Sequence, residues 1–117
     1  MSDQTTTIDP TDLPATIRAF LEAHMARDAD RAHAAFATDA VVTDQGETFA
    51  GPAGIRDFLQ HAGSEFTYTS RLIGAERLDD ARWVALVRLE GDFPGGVAEL
   101  PYRFVLDGGS IARLDIG

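Results

Sequence analysis

Cysteine is absent from the 117 residues, which excludes disulfides, cysteine-ligated zinc, iron–sulfur clusters and thiol nucleophiles together. A cytoplasmic location is the simplest expectation for such a chain. Basic residues are scarce: 10 Lys and Arg stand against 19 Asp and Glu, a net charge of −9. Affinity for nucleic acid rests mainly on Lys and Arg neutralising phosphates, so no nucleic-acid partner is expected, and an anionic membrane surface is disfavoured for the same reason. Long apolar runs are missing too. Nothing approaches the roughly 20 residues of a membrane span. The opening stretch, Met1 to Asp9, is polar and acidic where a secretory signal would be basic and then apolar. His24, His33 and His61 form no pair at helical ligand spacing, Gly51-Pro52-Ala53-Gly54 lacks the lysine of a phosphate loop, and neither Ser64 nor Ser70 sits in a nucleophile elbow. Neither a metal nor another cofactor is expected.

What is present is a 44% hydrophobic, 12.6 kDa chain, enough for one core with a ligand-sized cavity and too little for two domains. Residues 1–11 read as a disordered tail and 12–117 as a single domain. Leu13, Ile17, Phe20, Leu21, His24 and Met25 recur at three- and four-residue steps, with Pro14 in the first turn, which predicts an amphipathic helix over 13–26. Asp28 as N-cap with Ala32, Ala35 and Phe36 on one face predicts a short second helix ending near Ala37. A short β segment, 40–44, and a Gln45-Gly46 turn follow. Gly51-Pro52 then opens a third helix carrying Ile55, Phe58, Leu59 and Ala62 inward, with Gly63 as its C′ residue. The remainder reads as strands over 65–78, 82–92, 97–106 and 110–116, joined by turns at Asp79-Asp80, Pro94-Gly95-Gly96 and Asp107-Gly108-Gly109. The fold class expected is α+β: three N-terminal helices packed on a curved, mostly antiparallel sheet.

Strand alternation sorts the side chains by face. Phe66, Tyr68, Ser70 and Leu72, then Trp83, Ala85, Val87 and Leu89, then Ala98, Leu100, Tyr102, Phe104 and Leu106, and finally Ala112, Leu114 and Ile116 face the helices. The opposite face then carries Thr67, Thr69, Arg71, Ile73, Val84, Leu86, Arg88, Glu90, Glu99, Pro101, Arg103, Val105, Ile111, Arg113 and Asp115. A bulge near Gly74 would reverse the assignment beyond it.

Few polar groups fall on the inner face. His24 lies on the apolar stripe of the first helix, either as a core-edge histidine bonded to backbone or as a polar group at a pocket. Asp44 closes a mostly apolar β segment just before a turn, where it either accepts turn amides or acts as a base. Tyr68 and Tyr102 bring hydroxyls inward and each needs a partner. Trp83 fits either core or pocket wall.

The order helix, helix, short strand ending in Asp44, helix, then a four-stranded meander resembles the nuclear transport factor 2-like superfamily, which includes ketosteroid isomerases and small polyketide cyclases. The resemblance is carried by Phe36-Ala37-Thr38-Asp39-Ala40-Val41-Val42-Thr43-Asp44, by Gly51-Pro52-Ala53-Gly54-Ile55-Arg56-Asp57-Phe58, and by Tyr102-Arg103-Phe104-Val105-Leu106-Asp107-Gly108-Gly109 with Ile111. It implies a cone-shaped roll whose mouth opens on an apolar pocket between helices and sheet, and dimers formed through the outer sheet face. By the resemblance, Asp44 matches the proton-shuttling aspartate of ketosteroid isomerases, and Tyr102 falls near the neutral acid that bonds the developing oxyanion. Two tyrosines of that site are matched here by Phe20 and Leu59, so steroid isomerisation itself is not expected.

The catalytic pair implied is Asp44 and Tyr102, for proton transfer next to a carbonyl of isomerase, cyclase or dehydratase type. An apolar small molecule would be held by Phe20, His24, Phe58, Leu59, Tyr68 and Trp83. A non-catalytic ligand-binding or dimerisation module of the same fold is the alternative reading.

Overall fold

In a computed structural model, residues 5–61 and 68–117 are described, His61 through its backbone only. The expectations for Ala62, Gly63, Ser64, Phe66 and Thr67, and for the His61 side chain, lie outside the described residues.

Seven strands, β1 (Thr6–Ile8), β2 (Phe36–Asp44), β3 (Glu47–Ala50), β4 (Tyr68–Arg77), β5 (Arg82–Gly91), β6 (Val97–Asp107) and β7 (Ser110–Ile116), form one sheet in the order β1-β4-β5-β6-β7-β2-β3. Every neighbouring pair is antiparallel except β2 with β7. The helices are α1 (Ala15–Met25), α2 (Ala29–His33) and α3 (Gly51–His61). They do not all lie N-terminal to the sheet: β2 and β3 stand between α2 and α3, where the sequence places a short β segment and a turn, and β1, which was not expected, precedes α1. Among the described residues no helix is long and apolar enough to cross a membrane.

Residues 6–8, read from sequence as part of a tail, pair with Ala75 to Arg77 at the sheet edge. Their side chains offer no apolar alternation, so only the backbone pairing defines the strand. The second helix stops at His33 and Phe36 already belongs to β2, because Ile111 donates its N–H to the Ala35 carbonyl and draws that segment onto the sheet.

Two bulges set which side chains meet the helices. The register of β4 against β5 shifts between Leu72 and Gly74, leaving Ile73 as the extra residue and turning Ala75 into the core opposite Ala85. This is the reversal expected near Gly74. A second shift, between Val105 and Leu106, makes Ala112 the extra residue of β7 and sets Leu106 opposite Ile111. Ile111 is consequently 0% exposed and part of the core, correcting its assignment to the outer face. Of the remaining outward set, Arg71, Arg103 and Arg113 are exposed and Arg88 is held on that face by Glu90 and Glu99, while Val84, the register partner of Arg103, is only 9% exposed.

The inner face divides into rows. Trp83, Phe104, Leu114, Val42 and Phe49 are register partners across five strands, forming an apolar row. The adjacent row runs Ala75, Ala85, Tyr102, Ile116 and Asp44. Against these rows pack Leu13, Ile17, Phe20 and Leu21 from the α1 segment and Ile55 and Phe58 from α3, all buried. The small side chains Ala75 and Ala85 occupy the second row, whereas the large Phe104 fills the row beside it, all three buried.

Candidate active site

Tyr102 is the polar centre of the inner face. Its position in β6 is fixed by pairing with Ala85 on one side and Ile116 on the other, and it is only 6% exposed. Burial raises its hydroxyl pKa above the ordinary tyrosine value, with further contributions from Tyr68 and Asp44. The group therefore stays protonated across the physiological range, a hydrogen-bond donor by default.

His24 is presented by the last turn of α1 between two aromatic rings. Phe20, one turn earlier, stacks on it with centroids 5.3 Å apart, and Phe58 of α3 stacks at 5.9 Å. The Tyr102 ring lies 6.3 Å away, tilted. Enclosure by these rings, with the positive charge of Arg27 adding to it, lowers the imidazole pKa to about 4, so the ring is neutral at pH 7. It carries one donor and one acceptor nitrogen, and neither has a protein hydrogen-bond partner among the described residues.

Asp44 ends β2 at a tight Gln45-Gly46 turn in which both residues adopt positive φ, 49° and 91°. The Gln45 amide donates to the Ile116 carbonyl at 3.1 Å, so the turn is tied to β7 and not to the Asp44 carboxylate. That carboxylate is half-buried, and among the described residues no amide or hydroxyl is hydrogen-bonded to it. Its pKa is raised, first by burial and then by the nearby charge of Glu47. On the sheet it is the second register partner from Tyr102, with Ile116 between them, which at about 4.8 Å per strand sets the two Cα positions about 10 Å apart on one face.

A cavity of about 280 Å³ opens beside Tyr102 and His24, between the C-terminal half of α1 and strands β4 to β6. Leu21, Met25 and Val87 give it an apolar floor. Its polar groups are His24, Tyr102, Tyr68, Thr69 and Ser70, and Arg27 supplies a cation. Of the residues named from sequence, the structure brings His24, Tyr68 and Tyr102 into this lining. Asp44 shares their face but stands outside the lining. Phe20 and Phe58 are core residues holding His24 from behind, and Leu59 and Trp83 pack against the core, none of the four in contact with the cavity.

Arg27 was not legible as a site residue. Its backbone is left-handed, φ 58°, at the position following the C-cap of α1. The Asp28 amide donates to the Ala23 carbonyl at 2.8 Å and the Arg27 amide to His24 at 3.1 Å, the paired bonds of a Schellman end. Glycine ordinarily takes that position; the absence of glycine after Met25 is the signal that could have singled Arg27 out. The consequence is a guanidinium 5.0 Å from the centroid of the Tyr68 ring, at the cavity mouth.

The SnoaL-like domain family matches residues 17–114. The chain belongs to this family, within the nuclear transport factor 2-like superfamily. A proposed polyketide cyclase from Sinorhizobium meliloti is similar over 94% of this chain and 100% of its own, with 29% identity and a TM-score of 0.85. A protein from Sphaerobacter thermophilus shares 24% identity over 87% of this chain and 91% of its own, with a TM-score of 0.75. A Catenulispora acidiphila protein with a ketosteroid isomerase-like fold, solved in complex with trimethylamine, superposes with a TM-score of 0.76 at 15% identity, covering 89% of this chain and 85% of its own. No curated protein matches the chain. The family match establishes the family, and the structural likenesses establish the fold.

Proposed function

We propose that the cavity takes an apolar small molecule and that proton transfer next to a carbonyl is the reaction it supports, with Asp44 as the base and Tyr102 as the hydrogen-bond donor to the developing oxyanion. The observation that carries this reading is the row Tyr102, Ile116, Asp44, which sets a protonated hydroxyl and a half-buried carboxylate on one face with a single apolar residue between them. Both groups are shifted in the useful direction. The raised pKa of Asp44 makes it a better proton acceptor than a solvated carboxylate, and the raised pKa of Tyr102 keeps its proton available for a bond to oxygen. His24, neutral and without a hydrogen-bond partner among the described residues, is a second polar contact, and Tyr68 is a further polar residue of the lining. Apolar contact comes first from Leu21, Met25 and Val87, while Phe20, Phe58, Leu59 and Trp83 support that wall from behind.

The position of Asp44 outside the cavity lining favours a second reading, in which the cavity binds its ligand and no proton moves. The two are separated by α-proton exchange of an apolar bicyclic ketone, 2-tetralone, followed by NMR in D₂O. Catalysis predicts exchange faster than in buffer, reduced about a hundredfold or more in Asp44→Asn and about a hundredfold in Tyr102→Phe. Exchange unchanged in Asp44→Asn removes Asp44 as the base, and exchange no faster than in buffer alongside measurable binding leaves the binding reading.

The same reading includes a two-fold homodimer through the outer sheet face. Support comes from Ile73 and Val97, large apolar side chains that remain 40% and 48% exposed there. Because Arg88 and Arg113 are already engaged with Glu90, Glu99 and Asp115 of their own chain, the association would rest on apolar contact more than on exchanged ion pairs.

A further inference from the structure

Among the described residues the cavity described above has one charged side chain in its lining, Arg27, and nothing in the proton-transfer reading uses it. Six of the arginines, Arg31, Arg56, Arg77, Arg82, Arg88 and Arg113, are paired with carboxylates. Arg27, like Arg18, Arg71 and Arg103, has no carboxylate partner among the described residues, and of these four it is the one that lines the cavity. Among the described residues its guanidinium meets the face of Tyr68, and none of them accepts a hydrogen bond from its forked N–H donors. It also sits where an arginine is costly, at a left-handed helix end that glycine would occupy with less strain. A cation kept at a strained position over the rim of a cavity, without a carboxylate partner among the described residues, has its hydrogen-bonding capacity directed at whatever enters.

We infer that the ligand of this cavity is an organic acid: a carboxylate held at the mouth by Arg27, with an apolar body lying against Leu21, Met25 and Val87 and its far end reaching His24 and Tyr102. The hydroxyl of Ser70, on the strand that carries Tyr68, stands in the same lining to donate a further bond to the anion. The field of Arg27 already reaches into the site, since its charge helps hold the deeper His24 neutral. A neutral imidazole there means that the positive charge is confined to the rim, so an acid is oriented with its carboxylate outward and its apolar part inward. This inference rests on the reading of the cavity as a small-molecule site and adds to it the charge and the orientation of the ligand.

The test compares 2-naphthoate with its neutral counterpart 2-naphthamide by titration calorimetry or NMR titration. The wild-type protein should bind the acid at least tenfold more tightly than the amide, the preference shrinking as salt is added. Arg27→Gln should bring the acid to within about threefold of the amide while leaving amide affinity unchanged, and Arg27→Lys should keep part of the preference. Arg27→Gly guards against a merely structural role: relief of backbone strain should raise its melting temperature by a few degrees while it loses the preference for the acid. Equal affinities of wild type for acid and amide, or a full preference persisting in Arg27→Gly, overturns the role of Arg27 and leaves the small-molecule reading standing. Failure of both probes to bind at millimolar concentration overturns that reading and this inference together.

Discussion

At His24 the packing of three aromatic rings becomes a dependence of stability on pH. The imidazole titrates at about 4 in the fold against about 6.5 in an unfolded chain. Between those values the unfolded chain holds more protons than the folded one, so stability rises with pH there. The contribution is fully present above about pH 6.5 and is lost as pH falls toward 4, by roughly 3 kcal/mol at 1.36 kcal/mol per pH unit. Asp44 acts with the opposite sign. Its pKa is raised in the fold, so its burial is tolerated best when protonated and weighs against the fold as pH rises through its folded value. Comparing His24→Phe with wild type therefore isolates the histidine: chemical denaturation at pH 7 and pH 4.5 should show the variant losing about 2 kcal/mol less on acidification. Equal losses in the two proteins would mean that the ring is solvated and free to charge in the fold.

At the scale of elements, the two bulges decide what is core, and they differ in how visible they are in sequence. Gly74 interrupts the β4 pattern, and a glycine within a strand is a recognised place for a bulge. The bulge at Ala112 has no such mark. Alanine fits either face, so alternation carried straight through it and sent Ile111 outward. The consequence is measurable: Ile111→Ala should destabilise the fold by about 2–5 kcal/mol, the range for emptying a buried aliphatic site, while Ile73→Ala, at a residue 40% exposed on the outer face, should cost under about 0.5 kcal/mol. Similar small losses at both positions would return Ile111 to the surface.

The same contrast explains how much of the site could be read. The inward direction of Tyr102 followed from strand period alone, and His24 from helix period, because both sit within long regular elements. The cavity itself did not follow, since it depends on how far the end of α1 stands from β4 and β5, a distance no local pattern encodes. Arg27 escaped for a related reason: it belongs to a helix end, where conformation and not periodicity sets direction.

For the whole molecule, the sheet has two faces with different occupations. One carries the helices and the cavity; the other has Arg88 and Arg113 tied to neighbouring acids and Ile73 and Val97 left open. A two-fold dimer through that second face would bury on the order of 1,200 Å² or more in total. Light scattering at micromolar concentration should then give twice the monomer mass, and Ile73→Glu, which puts a carboxylate into the exposed apolar part of that face, and Arg103→Glu, which reverses a charge on it, should each shift the protein toward monomer without altering ligand binding on the other face. Monomeric wild type, or assembly indifferent to both Ile73→Glu and Arg103→Glu, would place any association elsewhere.

The central claim is that the inner face, and not the outer one, receives a small molecule. Intermolecular NOEs from 2-tetralone to the isotope-labelled protein measure this directly, because they report only protons within about 5 Å of the ligand. The account predicts contacts from the ligand ring to the methyl groups of Leu21, Met25 and Val87 and to the ring of Tyr102. NOEs confined to Ile73 and Val97, on the exposed outer face, would contradict it.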